Sequence, residues 1–288
     1  MKPSQIPAVL DLAMKARKAG EIFNPLFTGE AGLGKSALVK QWVKKQKERN
    51  PKFFFIDLRI AYMEAPDLIG FPETEVLLVN GVEQKVTDHA PPKFWPRDEQ
   101  AEGLILLEEP NRGTTGVMNC LMQVLTDRII HQVYLPENVI IAACINPDSA
   151  EYDVNHMDAA LRNRFEEFEI EHDHIGFTDF MEAKGWHEDI RMFCESGIWL
   201  YKKPGELAEG ERYISPRTWE KVQAALAADV KEDRMMHRLV MTSALGRSIG
   251  EDFIKFSFEE APVTAKDLVD NKSKALSRLK KQSDPETY

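Results

Sequence analysis

The sequence predicts an α/β chain: a parallel sheet with flanking helices, followed by a smaller domain made only of helices. Between residues 22 and 170, short apolar runs alternate with amphipathic segments, which is typical of a parallel sheet covered on both faces. After residue 171 the helical periodicity continues without a strand pattern. A chain of 288 residues is long enough for one large domain and a smaller one.

We therefore expect an α/β domain over 1–170, a helical domain over 171–262 and a C-terminal helix or tail over 263–288. The predicted strands are Leu26–Thr28, Phe53–Leu58, Leu104–Leu107, Val139–Ala143 and a weaker Phe165–Ile170. The predicted helices include 36–49, 114–127, 187–201, 215–229 and 234–246. A long excursion, 61–103, separates the second and third strands. Its Asn80-Gly81 pair predicts a β-hairpin, because a type I′ turn needs positive φ at both positions.

Composition narrows the classes of partner and location. The net charge of −10 disfavours general nucleic-acid binding, which depends on Lys and Arg neutralising phosphates. Three cysteines lie far apart in apolar stretches and fit a reducing compartment. The first 20 residues have an amphipathic pattern rather than a continuous apolar run, so they predict neither a signal peptide nor a membrane span. We expect a cytoplasmic protein with no membrane partner.

Residues 29–36 read GEAGLGKS and fit the phosphate-binding pattern G-x-x-x-x-G-K-[ST], a P-loop, between a predicted strand and a predicted helix. Glycines permit a tight loop whose backbone N–H groups face phosphate oxygens, and the helix N-terminus favours negative charge. The loop therefore predicts an ATP site in which Lys35 reaches the β- and γ-phosphates and Ser36 ligates Mg²⁺. The predicted nucleotide-binding residues of the loop are Gly29, Glu30, Ala31, Gly32, Leu33, Gly34, Lys35, Ser36 and Ala37.

A pair of carboxylates, Glu108 and Glu109, ends the third predicted strand in LILLEEPNRG. In open α/β sheets ligands bind at the carboxyl ends of the strands. One carboxylate can hold Mg²⁺, and the next, on the opposite face, can orient or deprotonate an attacking water. A solvated strand end gives the same pattern, and the P-loop upstream favours the functional interpretation.

Four more polar residues are candidates. Asn146 follows the fourth strand, although Asn-Pro also marks turns. Arg162 and Arg164 lie in LRNRF, where arginine stabilises phosphate charge or forms a surface salt bridge. Arg217 follows Ser215-Pro216, a pair that by itself is typical of a helix start. The run EHDH at 171–174 contains residue types that bind metal ions, but histidines at alternating positions on an exposed link are usually solvated.

The order of GEAGLGKS, LLEEPNR, CINP, ALRNRF and SPRT resembles the MoxR-type AAA+ ATPases, close to the dynein-related AAA group, over roughly residues 5–262. The resemblance implies an ATPase with ATP and Mg²⁺ as cofactors and a homo-oligomeric ring, usually of six subunits. It also implies that Asn146 is sensor 1, that Arg164 is an arginine finger reaching a neighbour's nucleotide, and that Arg217 is sensor 2. Arg162 is the alternative finger.

The same resemblance assigns the catalytic position to Glu109 and the metal position to Glu108, where the family usually has Asp. The extra methylene displaces the carboxylate by about 1.5 Å, and a misplacement near 1 Å can lower a rate about 10²-fold. Slow hydrolysis is therefore one expectation for this chain.

For function, the resemblance implies a chaperone-like protein that remodels or activates a protein client, with a von Willebrand factor A domain protein as the best single candidate. It places the 75–87 hairpin toward clients or the ring pore. Two alternatives stay open: a nucleic-acid motor of the same fold, which the acidic charge disfavours, and an ATP-dependent switch with little turnover.

Overall fold

The computed structural model describes residues 1–148, 157–197, 199 and 201–258. The chain divides into two compact units, Met1–Asp173 and a second that begins at His174. This division lies close to the predicted boundary between residues 170 and 171. The predicted tail, 263–288, lies outside the described residues.

The first unit contains all the strands of the described chain: β1 Pro25–Thr28, β2 Phe54–Arg59, β3 Phe71–Val79, β4 Val82–Ala90, β5 Gly103–Glu108, β6 Ile129–Ile130, β7 Val133–Tyr134, β8 Val139–Ile145 and β9 Glu166–Glu169. Five of them form one parallel sheet in the order β2-β5-β8-β1-β9. The five predicted strands are therefore the five strands of this sheet. The helices of the first unit are α1 Ile6–Lys18, α2 Lys35–Arg49, α3 Ala65–Ile69, α4 Thr115–Asp127 and α5 Ala159–Arg162.

Helices cover both faces of the sheet, and strands β5 and β8 are buried along their whole length. Ile105 and Leu107 share one core cluster with Leu121 of α4. On the other side, α1 packs against α2 and β8. The Trp42 indole of α2 donates to Asp11 Oδ1 of α1 at 2.8 Å. Burial on both faces explains why these strands are uninterrupted apolar runs in the sequence.

The excursion between β2 and β5 contains the predicted hairpin, formed by β3 and β4. Asn80 and Gly81 have φ of +53° and +78°, the positive values that a type I′ turn requires. Every residue of β3 is exposed, so the hairpin projects from the core. At its base only glycine fits at position 70, because a Cβ there would lie 2.1 Å from the Ala90 carbonyl oxygen. Downstream, Trp95 is buried and donates to the Leu68 carbonyl at 2.8 Å.

Helices are the regular structure of the second unit in its described residues, with α6 His174–Ala183, α7 Glu188–Glu195, α8 Pro216–Ala227, α9 Arg234–Leu245 and α10 Arg247–Phe258. Its core contains the edge-to-face pair Trp199 and Trp219, with ring centroids 5.4 Å apart. The predicted helix over 187–201 is wrong beyond Glu195. The chain leaves the helix there, and Gly197 takes a left-handed φ of +75° that a helix cannot contain.

Candidate functional site

The loop between β1 and α2 has a backbone that its glycines require. Gly32 and Gly34 have φ of +82° and +89°, the left-handed region that favours glycine. A Cβ on Gly29 would lie 2.7 Å from the Ile170 carbonyl oxygen. Helix α2 begins at Lys35, directly after Gly34. The predicted strand–loop–helix context is therefore present in the structure.

Lys35 is buried although it carries a charge. Its ammonium donates to the Gly29 carbonyl and, at 2.9 Å, to the Glu30 carbonyl. It also lies 3.4 Å from Asn146 Oδ1. The cation is thus held inside the loop and beside the end of β8.

Ser36 and Glu108 form the second contact of the site. The Ser36 hydroxyl donates to Glu108 Oε2 at 2.8 Å. Glu108 is only 7% exposed, and its Oε1 is buried without a hydrogen-bond partner in the described chain. Burial raises the pKa of Glu108 above its ordinary 4.5; the Ser36 bond opposes the rise, and the nearby Asp57 adds to it. A hydroxyl and a carboxylate are the oxygen ligands that Mg²⁺ prefers, and the unpartnered Oε1 fits a cation at this point.

Glu109 faces a different environment from its neighbour. Its φ of +53° is left-handed, and its backbone N–H donates to the Cys144 carbonyl at 2.8 Å. Its Oε1 accepts from Asn146 Nδ2 at 3.2 Å, and its Oε2 pairs with Arg112 Nε at 3.1 Å. The Asn111 amide donates to the Asn146 carbonyl at 3.2 Å. The sequence reasoning did not select Asn111 or Arg112, although Arg112 stands three residues after Glu109.

The strand order explains why these groups meet. Because β8 lies between β1 and β5, Asn146 at its end has the P-loop on one side and the carboxylates on the other. Its two amide atoms contact one group on each side, Lys35 and Glu109. The carboxyl edge of the sheet thus brings together three features: the Lys35 ammonium, the oxygens of Ser36 and Glu108 that suit a metal ion, and the hydrogen-bonded Glu109 and Asn146.

The two candidate arginine fingers are held by their own chain. Arg162 makes two bonds of 2.7 Å to Glu167, which lowers the pKa of that carboxyl. Arg164 donates to Thr126 Oγ1 and to the Ala160 carbonyl, both at 2.6 Å. Neither arginine is hydrogen-bonded to Lys35, Ser36, Glu108, Glu109 or Asn146 in the described residues.

Arg217 lies in the second unit, in the first turn of α8, and is exposed. Ser215 and Pro216 start that helix as predicted, and the Ser215 N–H donates to Thr218 Oγ1 at 3.2 Å. The sensor role of Arg217 stays a prediction.

No protein-family model matches the chain, and no curated protein matches it. Two solved structures, both mutants of RuvB from Thermotoga maritima, are similar to it with 13% sequence identity and a TM-score of 0.48. The first match covers 97% of this chain and 83% of that one, and the second covers 96% and 87%. A likeness at this level does not extend to activity, substrates or partners.

Proposed function

We propose that this chain binds Mg-ATP and hydrolyses it as an AAA+ ATPase of the MoxR type. One observation carries the proposal. Five side chains from three elements converge at the carboxyl edge of the sheet through contacts of 2.8–3.4 Å. They are Lys35, Ser36, Glu108, Glu109 and Asn146.

Binding is the task of the loop, Lys35, Ser36 and Glu108. The loop amides and the α2 N-terminus favour phosphate oxygens, and the Lys35 ammonium adds a positive charge. Ser36 and Glu108 would hold Mg²⁺ through the hydroxyl and the buried carboxylate. Mg-ATP, when bound, supplies the phosphoanhydride bond that is cleaved.

Hydrolysis is the task of Glu109 and Asn146. The Glu109 carboxylate is 39% exposed, so water can reach it, and the Asn146 amide and Arg112 hold its two oxygens. A held carboxylate at this edge can orient an attacking water or accept its proton. Arg164 or Arg162 would stabilise charge at a neighbouring subunit's site, and Arg217 would couple the helical domain to the nucleotide.

Calorimetry of ATP binding tests the proposal. Lys35→Ala should weaken binding by roughly 10–10²-fold, because a hydrogen bond to a charged group contributes about 1.5–3 kcal/mol. Lys44→Ala, an exposed lysine on the same helix, is the matched control and should bind normally. Equal ATP affinity in both variants would contradict the proposal.

We infer further that the chain assembles into a ring, with six subunits as the expected number, and remodels a protein client. The exposed hairpin and the acidic charge support a protein partner over nucleic acid. Turnover that rises on adding DNA would favour the nucleic-acid motor instead. In a single-turnover experiment, hydrolysis of the bound ATP that is far slower than the binding of ATP would favour the slow switch. A pull-down with Glu109→Gln in ATP identifies the client, with a von Willebrand factor A domain protein expected.

We also propose a cytoplasmic location. The three cysteines are free thiols, which fits a reducing compartment. Across the described ranges, every helix is too short or too polar to cross a bilayer.

A further inference from the structure

The base of the β3–β4 hairpin meets the β6–β7 turn at three side chains, Asp88, His89 and His131, which we call the hairpin-base cluster. One ligand atom from each side chain lies within 4.8 Å of the others. The two imidazole rings meet edge-on, with centroids 4.5 Å apart and an interplanar angle of 65°. Ligand atoms around a tetrahedral Zn²⁺ at about 2.0–2.2 Å stand roughly 3.3–3.6 Å apart. Small side-chain rotations would therefore close the cluster around an ion.

The carboxylate of the cluster is already oriented. Asp88 Oδ1 accepts from the backbone N–H of His89 and from Gln132 Nε2, each at 2.7 Å. Both bonds go to Oδ1, so Oδ2 is the oxygen that can bind a cation. Metal-binding side chains are commonly held in this way by hydrogen bonds from a second layer of residues. The neighbouring His131 has a φ of +51°, which is uncommon for a residue other than glycine.

The local charge also favours a cation. Glu73 lies directly opposite Asp88 in the β3–β4 ladder, and like charges at directly opposed positions destabilise a sheet. A divalent ion bound to Asp88 would relieve this repulsion. The ladder position of Glu73 is independent of the histidine geometry, and it also points to a bound cation.

We propose that the hairpin-base cluster binds a divalent transition-metal ion, with Zn²⁺ as the best match. Two imidazoles and one carboxylate suit Zn²⁺ and related ions, whereas Mg²⁺ and Ca²⁺ take oxygen ligands. His89, His131 and Asp88 Oδ2 supply three ligands, and water takes the fourth position. The ion connects the hairpin to the β6–β7 turn. It uses none of the residues of the proposed nucleotide site.

The test uses the untagged, nucleotide-free full chain titrated with Zn²⁺ in competition with a chromogenic chelator. We expect one tightly bound ion per chain. His131→Asn and Asp88→Asn should each weaken binding more than about 100-fold, beyond the 10–100-fold typical of losing an outer partner. Gln132→Ala removes such a partner and should fall within that smaller range. The double variant His172→Asn with His174→Asn, which alters the other closely spaced histidines, should bind as tightly as the wild type.

His131→Asn is chosen because asparagine tolerates the left-handed conformation at that position. Its thermal unfolding without metal should match that of the wild type. A second measurement follows backbone amide exchange at Phe71, Glu73 and 88–90, which Zn²⁺ should slow in the wild type and not in His131→Asn. Absence of a tightly bound ion in the wild type, or equal Zn²⁺ affinity in folded His131→Asn, would overturn the proposal. The cluster would then be only a contact between the imidazole rings of His89 and His131.

Discussion

At the scale of single residues, the adjacent Glu108 and Glu109 lie in two different environments. Glu108 is buried against Ser36, with one oxygen unpartnered in the described chain. Glu109 is turned by a left-handed backbone toward Asn146 and solvent. The Glu108 side chain is longer than the Asp usual in MoxR-type ATPases, which the sequence resembles, and its carboxylate accepts from the Ser36 hydroxyl at 2.8 Å. The extra methylene therefore does not separate this carboxylate from Ser36.

Glu108→Gln should make the nucleotide-free protein more stable while it weakens Mg²⁺-dependent turnover. Burial raises the pKa of Glu108 in the folded chain, so the folded state keeps a proton that the unfolded chain has lost. The stability that this proton contributes is fully present below the ordinary value of about 4.5 and is lost as pH rises through the raised pKa. The neutral amide avoids that loss. Denaturant unfolding of both proteins from pH 4 to 7 should therefore show a gap that widens with pH, and a constant gap would contradict the assignment.

Glu109→Gln should keep ATP bound and lower turnover by about 10²–10⁴-fold, the usual contribution of a general base. Arg112→Ala is the comparison variant, because it keeps the carboxylate and removes one of the groups that hold it. It removes the partner of the other carboxylate oxygen, an exposed ion pair that typically contributes about 0.2–1 kcal/mol, so turnover should change only a few-fold. Steady-state phosphate release measures both. A turnover rate in Glu109→Gln close to that of the wild type would mean that Glu109 is not the catalytic carboxylate.

At the scale of elements, the β3–β4 hairpin is the feature that a nucleotide site alone does not require. Its strands expose several large apolar side chains, Val76, Leu77, Leu78, Val79 and Val82. An exposed apolar ribbon of this kind marks interaction surfaces in many proteins. Inserted loops on a rigid scaffold are also common places for function. The candidate contacts are a client and a neighbouring subunit.

Replacing 76–86 with a short Gly-Ser turn should separate these contacts. If the hairpin binds the client, capture of the client by ATP-trapped protein should be lost, while sedimentation and basal ATPase stay unchanged, because the core is built without the hairpin tip. Loss of the ring itself would assign the hairpin to the neighbouring subunit. A variant with intact capture and an intact ring would rule out both roles for the tip.

At the scale of the whole molecule, the site of one chain is proposed to be completed by another. Both candidate fingers are engaged with residues of their own chain, so reaching a neighbour's nucleotide would require exchanging those bonds. Arg162 would leave Glu167, and Arg164 would leave Thr126.

By reciprocity, a client that binds the ATP state more tightly must in turn strengthen ATP binding.

Mixing two inactive proteins, Arg164→Ala and Glu109→Gln, should restore part of the turnover. In a mixed ring, an intact Glu109 of one subunit meets an intact Arg164 of the next, and a finger contributes about 10³–10⁵ in kcat in well-studied systems. The measurement is ATPase rate against mixing ratio, with mixed assembly verified by native mass spectrometry. Verified mixed rings without activity would contradict a role in trans for Arg164. The same experiment with Arg162→Ala decides between the two arginines.

The sequence by itself determined the features that depend on neighbouring residues. The apolar runs at 104–107 and 139–143 predicted buried strands, GEAGLGKS predicted the loop between β1 and α2, and Asn80-Gly81 predicted the turn. Each depends on backbone preferences within a few residues, which a linear pattern reports directly. The end of the helix after Glu195 was missed, because the apolar pattern continues beyond it.

Only the tertiary structure decided which distant residues meet. Parallel strands are joined by long crossovers, so periodicity does not reveal that β8 lies between β1 and β5 and brings Asn146 to both Lys35 and Glu109. Nor does a local pattern connect Asp88 and His89 of β4 to His131 in the β6–β7 turn. Sequence periodicity specifies which side chains are buried. The sheet order and the turns specify which of them share a site, because those contacts join residues far apart in the chain.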